Sequence, residues 1–166
     1  KPFYLCVFDP ANTDCYSWAL SKDGRLLFGG AYPKADCRAR FERQKQLMSD
    51  RGMNLESPLA TESCLVLRPR GFRDLKCGRG GTFLIGEAGG FISPSSLEGI
   101  SWAIETARRL AEALSRPDPE RAYRRATLPL RLKLVGKELK SPFLYNPHLR
   151  RAVMISRLRA ISVDEV

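Results

Sequence analysis

Few residues in this chain have types and spacing that could do chemistry, and they gather around a single glycine-rich turn. Glu87 stands in Gly86-Glu87-Ala88-Gly89-Gly90, after the apolar run Thr82–Ile85 and before a connection rich in Ser and Pro. A second carboxylate, Glu98, precedes Gly99 and Ile100. A strand ending in glycines ahead of a helix start exposes backbone N–H groups beside the positive end of a helix dipole. α/β proteins use this arrangement to bind anionic or hydroxyl-bearing ligands. A carboxylate just past a buried strand needs a partner. For Glu87 a ligand hydroxyl is one, and an exposed place on the turn is the alternative. Ser95 and Glu98 have the spacing of a capping box, so the preferred role of Glu98 is structural.

Other chemistries find little support. His148 is the one histidine and follows Asn146-Pro147 in a predicted first helical turn, so no Ser/His/Asp or Cys/His set can be assembled. No catalytic residue is assigned. The five cysteines, Cys6, Cys15, Cys37, Cys64 and Cys77, are odd in number and form no CxxC pair. Buried cytosolic thiols are preferred over a disulfide framework or a zinc site, and no metal ligand is assigned.

The elements that must position the turn read as α+β. Thr82–Ile85 predicts a short interior strand. Ile100, Ala103, Ile104, Ala107, Leu110, Ala111 and Leu114 recur every three or four residues and predict a helix with that face inward. Upstream, Pro2–Phe8, Cys15–Leu20 and Arg25–Ala31 predict an antiparallel sheet, with Asp23-Gly24 as a hairpin turn. Gly29 and Gly30 weaken the third strand unless something approaches closely there. A helix is expected from Asp36 to about Asp50, with Cys37, Phe41, Gln44 and Met48 on one face and Gly52 as its stop. Ser63–Leu67 could form another strand, and residues 70–81 a loop. Pro117 and Pro119 break the chain, Glu120–Lys140 is helical with an interruption at Pro129, and Asn146-Pro147 opens a last helix to about Ala160. Three segments follow: an antiparallel sheet and helix over 1–75, a strand–turn–helix segment over 76–115, and a basic helical region over 116–166.

The block Gly86–Ile100 resembles the second FAD-binding motif of the flavoprotein hydroxylases and reductases. It is most similar to the geranylgeranyl reductase group, whose version runs roughly GDAAGFVNPLTGEGI. Gly86, Ala88, Gly90, Phe91, Pro94, Glu98, Gly99 and Ile100 match in register, with Gly89 matching a small residue. Tyr16-Ser17-Trp18-Ala19-Leu20-Ser21-Lys22 looks like the YxWxFPK strand lining that group's substrate cavity, although an ordinary core pair explains Tyr16 and Trp18 equally well. The resemblance implies an antiparallel substrate-domain sheet joined to the C-terminal part of a Rossmann-like FAD domain. It implies FAD contacts at Gly86, Glu87, Ala88, Gly89, Pro94, Gly99 and Ile100. The sequence departs from the family at three points: Glu87 replaces an Asp, Leu97 a Gly, and Leu20-Ser21 a Phe-Pro. The family's GxGxxG unit has no counterpart, because Gly78-Arg79-Gly80-Gly81 precedes its strand. The expectation is therefore the C-terminal half of a longer flavoprotein, inactive as a fragment.

The formal charge of +10 arises between Arg121 and Arg159, where eleven Lys/Arg face Glu138 alone. The region carries no recognition-helix or stacking signature, which argues against nucleic acid. Peripheral contact with an anionic membrane through 121–159 is weighed equally against plain solvation. The implied function is an FAD-dependent oxidoreductase passing hydride through flavin N5 to or from a prenyl or other lipid-like substrate, with NAD(P)H or another electron donor. A cytoplasmic location, with membrane association as an option, goes with it. A flavin monooxygenase is the close alternative. A non-enzymatic basic module binding an anionic membrane or partner is the alternative from another class.

Overall fold

In the computed structural model, residues 3–156 are described, and they form an α+β fold. Among these residues two compact units emerge, one from residues 3–64 with 142–156 and the other from residues 65–141.

The first unit is built on a three-stranded antiparallel sheet in the order β1-β2-β3, with β1 Tyr4–Val7, β2 Ser17–Lys22 and β3 Arg25–Gly30. Asp23 and Gly24 close the β2–β3 hairpin with φ of 52° and 70°, the paired left-handed conformation that an Asp-Gly loop supplies most cheaply. The close approach that Gly29 and Gly30 call for comes from aromatic rings. A Cβ on Gly29 would lie 2.5 Å from the Trp18 indole, and one on Gly30 would lie 2.3 Å from the Tyr32 hydroxyl. Helix α1, Cys37–Ser49, packs Phe41 against Phe28 with ring centroids 5.6 Å apart and buries Gln44 and Met48. Cys37, expected on the buried face, is exposed, as is Cys64, so buried thiols account for only some of the five. Gln44 is buried because its Oε1 accepts from Asn12 Nδ2 at 3.1 Å, tying the β1–β2 loop to the helix. Residues 63–67 form no strand, and no described strand lies beside them to take their backbone bonds. Helix α6, Pro147–Ile155, starts as expected: Asn146 Oδ1 accepts from the N–H groups of His148 and Leu149 at 2.9 and 3.1 Å. The rest of that expected helix, residues 157–160, lies outside the described residues.

The second unit holds the glycine-rich turn. The expected interior strand is a two-residue strand, β5 Thr82–Phe83, in a hairpin with β4 Gly78–Arg79, and Ile85 is exposed. The loop assigned to residues 70–81 thus contains β4 and a 3-10 turn at Phe72–Asp74. Three helices cover the hairpin's unit: α2 Ile100–Leu114, α3 Pro119–Ala126 and α4 Leu128–Glu138, with the short α5 Ser141–Tyr145 following. Pro119 takes the first turn of α3, and Asp118 caps it by accepting the Arg121 N–H at 3.0 Å. The interruption expected at Pro129 falls at Thr127, between α3 and α4, with Pro129 in the first turn of α4.

The inward face of α2 differs from expectation, and that of α4 is set by packing. On α2 the buried residues are Trp102, Thr106 and Ala113, while Ile100 is 78% and Ile104 66% exposed. The apolar arc is broad, running from Ile104 and Ile100 through Leu110 to Ala113 and Trp102 opposite a polar strip of Ser101, Glu105, Arg108 and Glu112, so periodicity by itself does not choose which part of it turns inward; Trp102, the largest apolar surface, does. On α4, Leu130, Arg131 and Leu134 are buried and Leu132 and Lys133 exposed, so leucines and basic residues are not sorted onto opposite sides.

The core of this unit joins Leu75, Cys77, Phe91, Trp102, Ala113, Tyr123, Leu130 and Leu134. Tyr123 is its pin. Its ring meets Phe83 edge-on at 6.0 Å, and its hydroxyl donates to the Leu84 carbonyl at 2.9 Å. Burial pushes its phenol up to about 12, so it donates at every ordinary pH. Tyr123→Phe keeps the ring and orphans that carbonyl, so urea unfolding should show a loss of about 1–2 kcal/mol. An unchanged midpoint would mean the hydroxyl does not hold the hairpin.

Candidate functional site

The turn is shaped by backbone rules before any ligand is considered. Gly86–Gly89 forms a single 3-10 turn, closed by Phe91 N–H to the Gly86 carbonyl and Gly90 N–H to the Glu87 carbonyl, both at 2.8 Å. Gly86 has a φ of 52°, and a Cβ there would lie 2.9 Å from the Ala103 Cβ. Gly90, at φ 77°, would bring a Cβ within 2.6 Å of the Asp74 carbonyl oxygen. Glycine is therefore required twice, once for helix approach and once for the preceding loop.

Thr106, which no sequence motif singles out, ties the turn to α2. Its buried Oγ1 accepts the Gly86 N–H at 2.9 Å and donates to the Trp102 carbonyl at 2.8 Å. A Thr in mid-helix whose hydroxyl could serve its own helix carries no sequence signal of a tertiary bond.

The connection from Phe91 to Ile100 is a compact loop. Ser93 is fully buried; its N–H donates to the Glu98 carbonyl at 2.9 Å, and its carbonyl accepts the Leu97 N–H at 2.8 Å. Leu97 sits at φ 55°, a left-handed conformation that costs a residue with a Cβ roughly 1–2 kcal/mol. That is the position where the resembling motif has glycine.

Helix α2 begins at Ile100 with Gly99 as its N-cap residue, later than a Ser95 cap would place it. Glu98 still caps, although without Ser95: its Oε1 accepts the Ser101 N–H at 2.9 Å. Bonds from the Ser101 hydroxyl and N–H, with the Lys137 charge nearby, hold the Glu98 carboxyl below its ordinary range, so it stays ionised at the helix's positive end.

The seven residues expected to contact a cofactor divide by burial. Gly86, Gly89 and Pro94 are buried and shape the loop. Glu87, Ala88 and Ile100 are exposed and Gly99 is half-buried, so a ligand can reach them. Glu87 takes the exposed place on the turn, the alternative to a buried carboxylate needing a ligand hydroxyl. Its Oε1 accepts the Leu67 N–H at 3.3 Å.

Tyr16 and Trp18 belong to the first unit. Tyr16 immediately precedes β2 and Trp18 lies within it, their rings 5.8 Å apart and both half-buried. Phe8 extends the row, 6.0 Å from Tyr16 and 6.1 Å from Tyr145. The pair thus belongs to a continuous aromatic row. Burial raises the Tyr16 phenol.

No family model and no solved structure matches this chain. It is similar to Protein CbrA of Escherichia coli O6:H1, with 51% identity over 158 residues, 93% of this chain and 43% of that protein. The likeness to Protein CbrA of Shigella sonnei is 51% over 158 residues, 93% of this chain and 44% of that protein. For Protein CbrA of Shigella dysenteriae serotype 1 it is 49% over 163 residues, 96% of this chain and 46% of that protein. The chain spans less than half the length of these curated relatives, and its identity to them extends over nearly all of its own length.

Proposed function

We propose that this chain is the second FAD-binding portion, with part of the substrate domain, of an FAD-dependent oxidoreductase of the geranylgeranyl reductase and flavoprotein hydroxylase type. The observation that carries the reading is the Gly86–Ile100 loop. It offers a reachable carboxylate on a turn locked by buried glycines, and it leads into a helix start with Gly99 and Ile100 open to a ligand. A leucine held at φ 55° where the resembling motif has glycine points the same way, because the loop keeps a conformation that suits glycine better. Relatives more than twice as long as this chain leave room for an ADP-binding unit.

The donor set fits the group. Glu87 would accept a hydrogen bond from a ribityl hydroxyl, with Ala88 keeping the turn small enough for close approach. The N–H groups of Gly99 and Ile100, at the positive end of α2, would stabilise negative charge on a bound ring. FAD, when bound, supplies the hydride-transferring centre. Tyr16 and Trp18 would wall a cavity for a hydrophobic, prenyl or other lipid-like substrate and keep water out. In a complete polypeptide, Glu87→Ala should leave folding intact and weaken FAD binding by roughly 1–3 kcal/mol, the loss expected for a hydrogen bond to a charged group. Gly86→Ala should instead destabilise the fold by about 2–3 kcal/mol, from left-handed strain and overpacking on Ala103. Fluorescence titration with FAD and urea unfolding of both variants separate the two effects. A Glu87→Ala titration identical to wild type would remove Glu87 from the site.

Exposed leucines on α4 favour membrane contact as part of the same reading. Leu128 and Leu132, with Leu139 just beyond the helix, are exposed in a chain segment that also carries Lys133, Lys137 and Lys140. Among the described residues no helix is long and apolar enough to cross a membrane, so the contact would be peripheral. Each Lys or Arg near an anionic surface is worth about 1 kcal/mol. Co-sedimentation with anionic vesicles, lost at high salt and absent with neutral vesicles, is the expected result. Absence of binding to either leaves this face solvated.

A further inference from the structure

We infer that the second unit contains a binding site for a phosphate-bearing small molecule, in the cavity between the β4–β5 hairpin and helices α3 and α4. The cavity has a volume of about 460 Å³, and Lys76, Arg79, Arg124 and Arg131 line it together with Leu75 and Leu84. No acidic side chain is among its lining residues.

Arg131 is the reason to expect an anion. It is only 9% exposed, and its Nε is buried without a hydrogen-bond partner. One Nη donates to the Arg124 carbonyl at 2.9 Å, and the guanidinium carbon lies 4.7 Å from the centre of the Phe72 ring. These contacts satisfy part of a group that carries five N–H donors and cannot shed its charge. A buried, charged donor left idle is costly, and burying it beside three further cations compounds the cost. None of the four is in an ion pair with a carboxylate among the described residues.

An oxyanion in the cavity offsets the four positive charges that line it. A planar guanidinium fork matches phosphate oxygens, and lysine adds a mobile point charge. The volume exceeds what a bare phosphate needs, and the leucines provide an apolar wall for whatever the phosphate is attached to. The inference does not rest on the flavin reading, because neither Arg131 nor the hairpin belongs to the residues assigned to FAD.

The test uses the full chain, titrated with inorganic pyrophosphate by calorimetry at fixed ionic strength, with thermal unfolding measured in parallel. Saturable binding of one pyrophosphate per chain, with a rise in melting temperature, is expected. Arg131→Met will lower stability even without ligand, since it loses the bond to Arg124. The decisive variant is therefore Lys76→Gln/Arg124→Gln, which changes two exposed side chains and should weaken pyrophosphate binding by about tenfold or more while leaving ligand-free stability near wild type. Competition with FAD identifies the source of the phosphate. Displacement of pyrophosphate by FAD would make the site a flavin-diphosphate contact, and independent binding would make it a separate phosphate site. No saturable binding at matched ionic strength, or equal affinity in Lys76→Gln/Arg124→Gln, overturns the inference.

Discussion

The bond from the Gly86 N–H to Thr106 Oγ1 is the contact on which the second unit turns. A backbone amide at the head of the glycine-rich turn is satisfied by a hydroxyl from the middle of α2, inside the core. For that bond to form, turn and helix must approach until Gly86 touches Ala103, and only a residue without a Cβ allows it. The geometry of every residue from Gly86 to Ile100 follows. The chain must leave the turn, pass Phe91 into the core, fold around Ser93, and return to start α2 at the required distance.

The other side of the same core is held by a similar device. Tyr123 on α3 reaches the carbonyl of Leu84, while Thr127 brings its hydroxyl to 3.2 Å from Cys77 and donates to the Tyr123 carbonyl. The hairpin is only two residues long on each strand, too short to be stable by pairing alone. Helix side chains hold its flanks and its turn: Tyr123 at the Leu84 carbonyl, Thr127 at the Cys77 thiol, and Glu120, whose Oε1 accepts the Gly81 N–H at 2.8 Å. Polar satisfaction thus positions the turn more than strand pairing does. Arg131 Nε and Trp102 Nε1 are buried donors in this unit without a partner among the described residues, and of the two Arg131 carries a charge.

In the first unit the constraint is aromatic. Trp18 over Gly29 and Tyr32 over Gly30 need glycines beneath them, and the rings of Phe8, Tyr16, Trp18 and Tyr145 form a continuous row. Such a row is stiff and apolar, which suits either a core or the wall of a hydrophobic cavity. Tyr16 and Trp18 stand in the middle of that row, each half-buried.

The sequence by itself determined the features governed by local rules. The Asp23-Gly24 hairpin, the Asn146-Pro147 helix start, and the existence of α1, α2 and α6 are each set by φ/ψ preference, capping or periodicity within a few residues. Only the tertiary structure decided which helix faces turn inward. Helix α2 offers Ile100 and Ile104 on one side and Trp102 on another, and α4 offers leucines on several, so burial depends on what lies opposite. It likewise decided that residues 63–67 remain unpaired, since a strand needs a neighbour and propensity supplies none. Thr106 and Arg131 were invisible for the same reason: their partners, Gly86 in one case and a cavity of basic residues in the other, are distant in the chain and close only after packing.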